Sequence, residues 1–88
     1  MKVVFRASFQ KDLESTTNPL LKERVLGVIE AVEAARQLSE VPGVKKLSGK
    51  GGHFRIRVLG HRIGLTIDGG IVTFVRCLDR KSIYRYFP

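Results

Sequence analysis

The chain has 88 residues, of which 43% are hydrophobic and 27% charged, and it carries a formal net charge of +8. That length allows one compact domain and excludes a second, since domains usually run to about 100–150 residues, and the composition excludes the apolar-poor signature of disorder. There is no apolar run long enough to cross a bilayer and no charged segment followed by a leader-like apolar one at the start, so the sequence reads as a cytoplasmic protein with no membrane partner.

In chain order, Lys2 to Ala7 is short and β-branched and predicts a first strand. Ser8 can cap a short helix through "FQKDLEST", with Phe9 and Leu13 four residues apart on its inward side. Asn18 followed by Pro19 is a strong helix start, and "NPLLKERVLGVIEAVEAARQL" predicts a second helix. Leu21, Val25, Val28, Val32 and Ala35 supply its inward stripe. Proline and glycine dominate Ser39 to Gly52, which predicts a loop. Three strands then follow, Phe54 to Val58, Arg62 to Ile67 and Ile71 to Leu78, joined by "LGH" and "DGG" as an antiparallel meander. The tail "DRKSIYRYFP" is basic and contains both tyrosines of the chain; it predicts a short turn of helix or a strand end.

Charge is unevenly distributed. Residues 1–44 hold six basic and six acidic groups, whereas residues 45–88 hold ten basic groups against Asp68 and Asp79 alone. Such a field attracts polyanions, nucleic acid first. Alternation in the first two strands of the meander places Phe54, Ile56, Val58, Ile63, Leu65 and Ile67 on one face. Arg55, Arg57, Arg62 and Thr66 take the other. For an average domain a charged sheet face is a solvated face and nothing more. Here the cations are arginines suited to bidentate phosphate contact, they lack interspersed carboxylates, and more cations follow.

Other chemistry has little material. Two histidines, one cysteine and two carboxylates in the basic half make a metal site improbable, and no cofactor is implied. Cys77 reads as a small buried hydrophobe. "SGKGG", Ser48 to Gly52, lacks the phosphate-loop pattern and reads as a loop whose Lys50 touches a backbone phosphate.

The order of elements, together with "FRIRVLGHRI" and "FVRCLDRKSIYR", resembles the RelE/ParE superfamily of type II toxin-antitoxin toxins over nearly the whole chain. The resemblance implies an α+β fold: a small curved antiparallel sheet with two N-terminal helices packed on one face. It implies an endoribonuclease of the RelE branch, an mRNA interferase acting in the ribosomal A site. In that reaction the ribose 2′-OH attacks the adjacent phosphate, leaving a 2′,3′-cyclic phosphate and a 5′-OH. Partners implied are mRNA, the ribosome, a small partly disordered antitoxin with an acidic binding segment, and operator DNA only through that antitoxin. Alternatives are a ParE-like gyrase poison or a basic RNA-binding domain without catalysis.

Carried over by position, Arg55 and Arg57 match two strand cations of the family and Arg62 its phosphate-gripping arginine. Arg80 or Lys81 matches its tail cation, and Tyr84 or Tyr86 its tyrosine. These residues are the expected catalytic set, with Tyr84 as the tyrosine. Lys45, Lys46, Lys50, His53, His61, Arg76, Arg85 and Tyr86 are expected to bind nucleic acid. The match departs at Arg55 and Arg57, where RelE has lysines. Arginine does not release its proton near neutrality, which leaves the general base to His53, His61 or Tyr84, or leaves the arginines to bind RNA alone.

Overall fold

Alternation along the second half of the chain makes one apolar sheet face, and burial of that face organises the molecule. A computed structural model describes residues 1–47 and 51–88, so the expectation for Lys50 lies outside the described residues. Strands β3 (His53–Val58), β4 (His61–Asp68) and β5 (Ile71–Asp79) form the antiparallel meander. Ile56, Ile63, Leu65, Val72 and Phe74 point inward and are wholly buried. The turn between β4 and β5 has Gly69 and Gly70 at φ 56° and 81°. Positive φ at both central residues suits the twist of a tight hairpin, and glycine adopts it without strain.

Helices α1 (Ala7–Ser15) and α2 (Pro19–Ala34) cover the apolar face. Phe9 is buried, with Leu13 packed beside the core. At the start of α2, Asn18 Oδ1 accepts from the backbone N–H of Leu20 at 3.0 Å and Leu21 at 3.2 Å, with Pro19 in the first helical position. Leu21, Val25 and Val32 form its buried stripe. The helix stops at Ala34 instead of continuing to Leu38. Ala35 turns extended, and a 3₁₀ turn over Leu38–Glu40 drops Leu38 into the core.

Three local readings change. Arg6, not Ser8, occupies the N-cap position of α1, and the Ser8 hydroxyl instead donates to the Val75 carbonyl at 2.6 Å. Part of the expected loop is a strand: β2 (Val44–Lys46) pairs antiparallel with β3. Three residues, two of them lysine, carry too little pattern to announce it. Finally, β1 (Lys2–Phe5) pairs with β5 in parallel, so the sheet runs β1-β5-β4-β3-β2 and is mixed, not wholly antiparallel. The chain crosses from one edge of the sheet to the other through α1 and α2.

Because β1 pairs only with Ile71 to Phe74, the rest of that β5 edge needs other partners. Helix α1 supplies them. Ser8 takes the Val75 carbonyl, and Asp12 Oδ2 accepts from the N–H of Cys77 at 3.0 Å. The Asp12 carboxylate also receives Arg76 through Nε at 2.7 Å and Nη2 at 2.9 Å. A β-bulge makes this possible: Leu65 faces Phe74 and Gly64 faces Arg76, leaving Val75 as the extra residue. Phe74 and Cys77 thereby both face the core, and burial pushes the Cys77 thiol up to about 11.

Asp12 therefore ties α1 to the unpaired edge of β5. Asp12→Ala is expected to lower the unfolding free energy by about 2–3 kcal/mol, because a guanidinium and a part-buried N–H lose their acceptor. Glu14→Ala, exposed on the same helix, should change it by less than ~0.5 kcal/mol. Urea unfolding of the two variants checks this, and equal midpoints would contradict it.

Candidate nucleic-acid interface

On the face turned away from α1 and α2, register brings the cations together. Arg57 of β3 lies directly opposite Arg62 of β4, and Lys45 of β2 directly opposite Arg55 of β3. Like charges in such positions sit with Cβ atoms about 5 Å apart and repel. Arg62 records the crowding: partial desolvation first, then Arg55, Arg57 and Arg80, lower its pKa, while Tyr84 opposes them. It remains a cation at neutral pH. Its Nη1 donates to the carbonyls of His61 at 2.9 Å and Leu59 at 3.3 Å, which fixes the direction of the guanidinium. Leu59, in the β3–β4 turn, has φ 55°, a conformation unusual for a bulky residue.

The tail adds a phenol to this surface. Asp79 closes the turn after β5, accepting from the backbone N–H of Ser82 at 2.8 Å and Lys81 at 2.9 Å and from the Ser82 hydroxyl at 3.1 Å. The bonds from Ser82 hold its carboxyl below the usual range. That turn launches α3 (Ile83–Tyr86), whose first residue Ile83 and the following Phe87 are buried. Tyr84 reaches Arg55: Arg55 Nη1 donates to the phenol oxygen, and the guanidinium carbon lies 5.3 Å from the ring centre. The bond from Arg55 draws the phenol pKa down, and the charges of Arg55, Arg62 and Lys45 add to it. Tyr86 meets a different cation, its ring centre 5.5 Å from the Arg76 guanidinium carbon.

Arg55, Arg57, Arg62 and Lys45 line one cleft with Gly43 and Val44. Arg80, Lys81 and Tyr84 line a second hollow with Gly60 and Asp79. Tyr84 also borders Lys45 and Arg55, so the phenol joins the two groups of cations. Other expected contacts are distributed differently. Lys46 is paired with Phe54 and takes the opposite face of β2 from Lys45. His61 is opposite Val58 and takes the face turned from Arg62. His53 shares the arginine face and stands edge-on to Phe87, with centroids 5.7 Å apart. Arg76 is bonded to Asp12, which raises its pKa further, and is a neutralised cation. Arg85 is exposed in the last turn of α3. Sequence reasoning missed Asp79 as the organiser of the turn and missed the contact between Gly64 and Phe87. A glycine inside an otherwise regular strand was the available signal for the second.

Among the described residues no group of three or more histidine, cysteine, aspartate or glutamate side chains is placed to hold a metal ion. Among the same residues no helix is long and apolar enough to cross a membrane.

No family model matches the chain. Toxin RelE3 of Methanocaldococcus jannaschii is 39% identical over 89 residues, covering the whole of both chains. A chain of the RelB-RelE antitoxin–toxin complex from Methanococcus jannaschii superposes with a TM-score of 0.82 at 35% identity, covering 97% of this chain and 99% of that one. The archaeal RelE-RelB complex from Pyrococcus horikoshii OT3 gives 0.74 at 20% identity, over 90% and 93%, a likeness of fold.

The facing cations cost stability in the free protein. Arg57→Thr relieves one repulsive pair and is expected to raise the unfolding free energy by about 0.5 kcal/mol while weakening binding of a short RNA at low salt. Chemical denaturation and RNA titration measure both; lower stability with unchanged binding would contradict the expectation.

Proposed function

The chain belongs to the RelE family of toxins and is the toxin of a toxin–antitoxin system of the RelB-RelE type; from that premise we propose that it is an mRNA interferase. The observation that carries the proposal is Tyr84, a phenol whose pKa is lowered by Arg55 and which borders both groups of cations. An RNA-cleaving site needs a base for the ribose 2′-OH and positive charge for the phosphorane. Arg55 and Arg57 cannot act as bases at neutral pH, His61 lies on the other face, and His53, although on the arginine face, lines neither group of cations, whereas Tyr84 borders both. Tyr84, as phenolate, takes the 2′-OH proton. The 2′-oxygen attacks phosphorus, and the 5′-oxygen leaves with a proton supplied by the Lys81 ammonium. Arg62 and Arg57 neutralise the phosphate oxygens, and Arg80 orients the leaving side. The products are a 2′,3′-cyclic phosphate and a 5′-OH.

The substrate in this reading is cytoplasmic mRNA held in the ribosomal A site. The partner is a small antitoxin whose acidic segment covers the cation face and through which alone the toxin reaches operator DNA. Two observations support this pairing: the excess charge of residues 45–88, and relatives whose solved structures are RelB complexes.

Cleavage of mRNA on purified ribosomes tests the assignment. Arg62→Ala is expected to lower the rate roughly 10²- to 10³-fold while the protein stays folded. The wild-type rate should rise with pH as the Tyr84 phenolate accumulates, then level off below the ordinary tyrosine range, since the deprotonated form is the base; Tyr84→Phe should lose that dependence. New 5′-hydroxyl ends that persist undiminished in both variants would remove these residues from the chemistry. Growth arrest without new ends would point to a protein target instead.

A further inference from the structure

Gly64 sits on the arginine face of β4, directly between Arg55 on β3 and Arg76 on β5. What demands glycine there is space. A Cβ at this position would come within 2.6 Å of Cγ and Cδ2 of Phe87 and 2.8 Å of Cδ1, closer than real Cβ contacts come. The Phe87 ring therefore lies against bare backbone, in a notch flanked by two arginines, with His53 edge-on at 5.7 Å. Phe87 is 6% exposed, and its N–H donates to the Ile83 carbonyl at 2.8 Å, which joins it to α3, where Ile83 is 2% exposed. Tyr84, between these two anchors, is 65% exposed. Its ring is little packed beyond its contact with Arg55, whereas Ile83 before it and Phe87 after it are buried.

We propose that Gly64 and Phe87 form a seat that positions Tyr84 against Arg55. Both are positioning residues: they act through α3 and do not touch the reacting phosphate. The consequence for RNA cleavage rests on the reading of Tyr84 as the base, whereas the seat itself is testable without RNA. The cation partners of the phenol, Arg55 on β3, Lys45 on β2 and Arg62 on β4, and the Asp79, Arg80 and Lys81 side chains of the neighbouring hollow, are all retained in the variants below.

The chain has two tyrosines and no tryptophan, so ultraviolet absorbance reads phenolate formation cleanly. Alkaline titrations would be recorded for the wild type, Gly64→Ala, Phe87→Ala and the double variant, with Tyr84→Phe assigning the early step and far-ultraviolet circular dichroism monitoring the fold. In the wild type the step that Tyr84→Phe removes is expected below the ordinary tyrosine range. In Gly64→Ala the added methyl expels the Phe87 ring, and the early step moves up into the ordinary tyrosine range. Phe87→Ala should do the same, and Phe87→Leu should restore part of the early step. The double variant should look like Phe87→Ala alone, because the methyl then enters an empty notch. On ribosomes both single variants should lose roughly 10- to 100-fold in cleavage rate with little change in RNA affinity. An unmoved early step in both single variants, or effects that simply add in the double, would overturn the seat. Should Gly64→Ala fail to fold, Phe87→Ala, which removes atoms and adds none, decides the matter by itself. If the titrations behave as expected but the wild type cuts no RNA, the seat stands and the cleavage reading falls.

Discussion

The burial of Ile56, Ile63, Leu65, Val72 and Phe74 under α1 and α2 determines where every charge in this protein can go. Burying one such side chain contributes about 1.5–3 kcal/mol, so five of them contribute on the order of 10 kcal/mol before entropy is counted. A one-residue slip of β3 or β4 would exchange the two faces and drive Arg55, Arg57 or Arg62 beneath the helices. Repulsion between Arg57 and Arg62, or between Lys45 and Arg55, is worth at most about 1 kcal/mol per pair. The core wins by a wide margin. It holds the cations in a register that their own electrostatics disfavour.

What remains on the outer face is a selected set of charges. Arg76 belongs to that face by strand parity, yet Asp12 reaches around the unpaired edge of β5 and neutralises it. Asp79, the carboxylate nearest the tail, has its oxygens engaged by Ser82 and Lys81. Asp68 sits at the β4–β5 turn, at the other end of the strand from Arg62. Arg55, Arg57 and Arg62 are thus left facing one another and the phenol of Tyr84. Crowded cations beside a polarised phenol favour an anion that arrives from outside.

The parts of this arrangement that were readable are those whose signal is contiguous in sequence. Alternation from Phe54 to Ile67 fixes two strands and their faces, and Asn18 with Pro19 fixes the start of α2, because each depends on neighbours a few residues away. The rest depends on distant partners. β2 is too short to show a period, and its pairing is set by β3. The parallel direction of β1 follows from β5, at the far end of the chain. The bulge at Val75 shifts the parity of β5, so Cys77 faces inward against simple alternation. Which tyrosine meets Arg55 is decided by the rotation of α3 about its buried anchors, and no local pattern encodes that. The notch at Gly64 is invisible until Phe87 lies in it.

The arginines at positions 55 and 57 divide the work of the proposed site in a way lysines would not. A lysine crowded by cations can lose its proton and serve as a base; an arginine keeps its charge throughout. With the cations fixed in charge, the titratable group that Arg55 contacts directly is the phenol of Tyr84, whose pKa is lowered by Arg55 first, with Arg62 and Lys45 adding to it. Arg55 has one guanidinium nitrogen engaged by that phenol and lies closest to it, so its main effect falls on the base. Arg57 lies opposite Arg62 without a carboxylate between them, and Arg62 is already aimed by the turn carbonyls of Leu59 and His61. In the proposed reaction, charge for the phosphate and charge that tunes the base would therefore come from adjacent positions of one strand pair. The tail anchored at Gly64 brings the phenol to meet them.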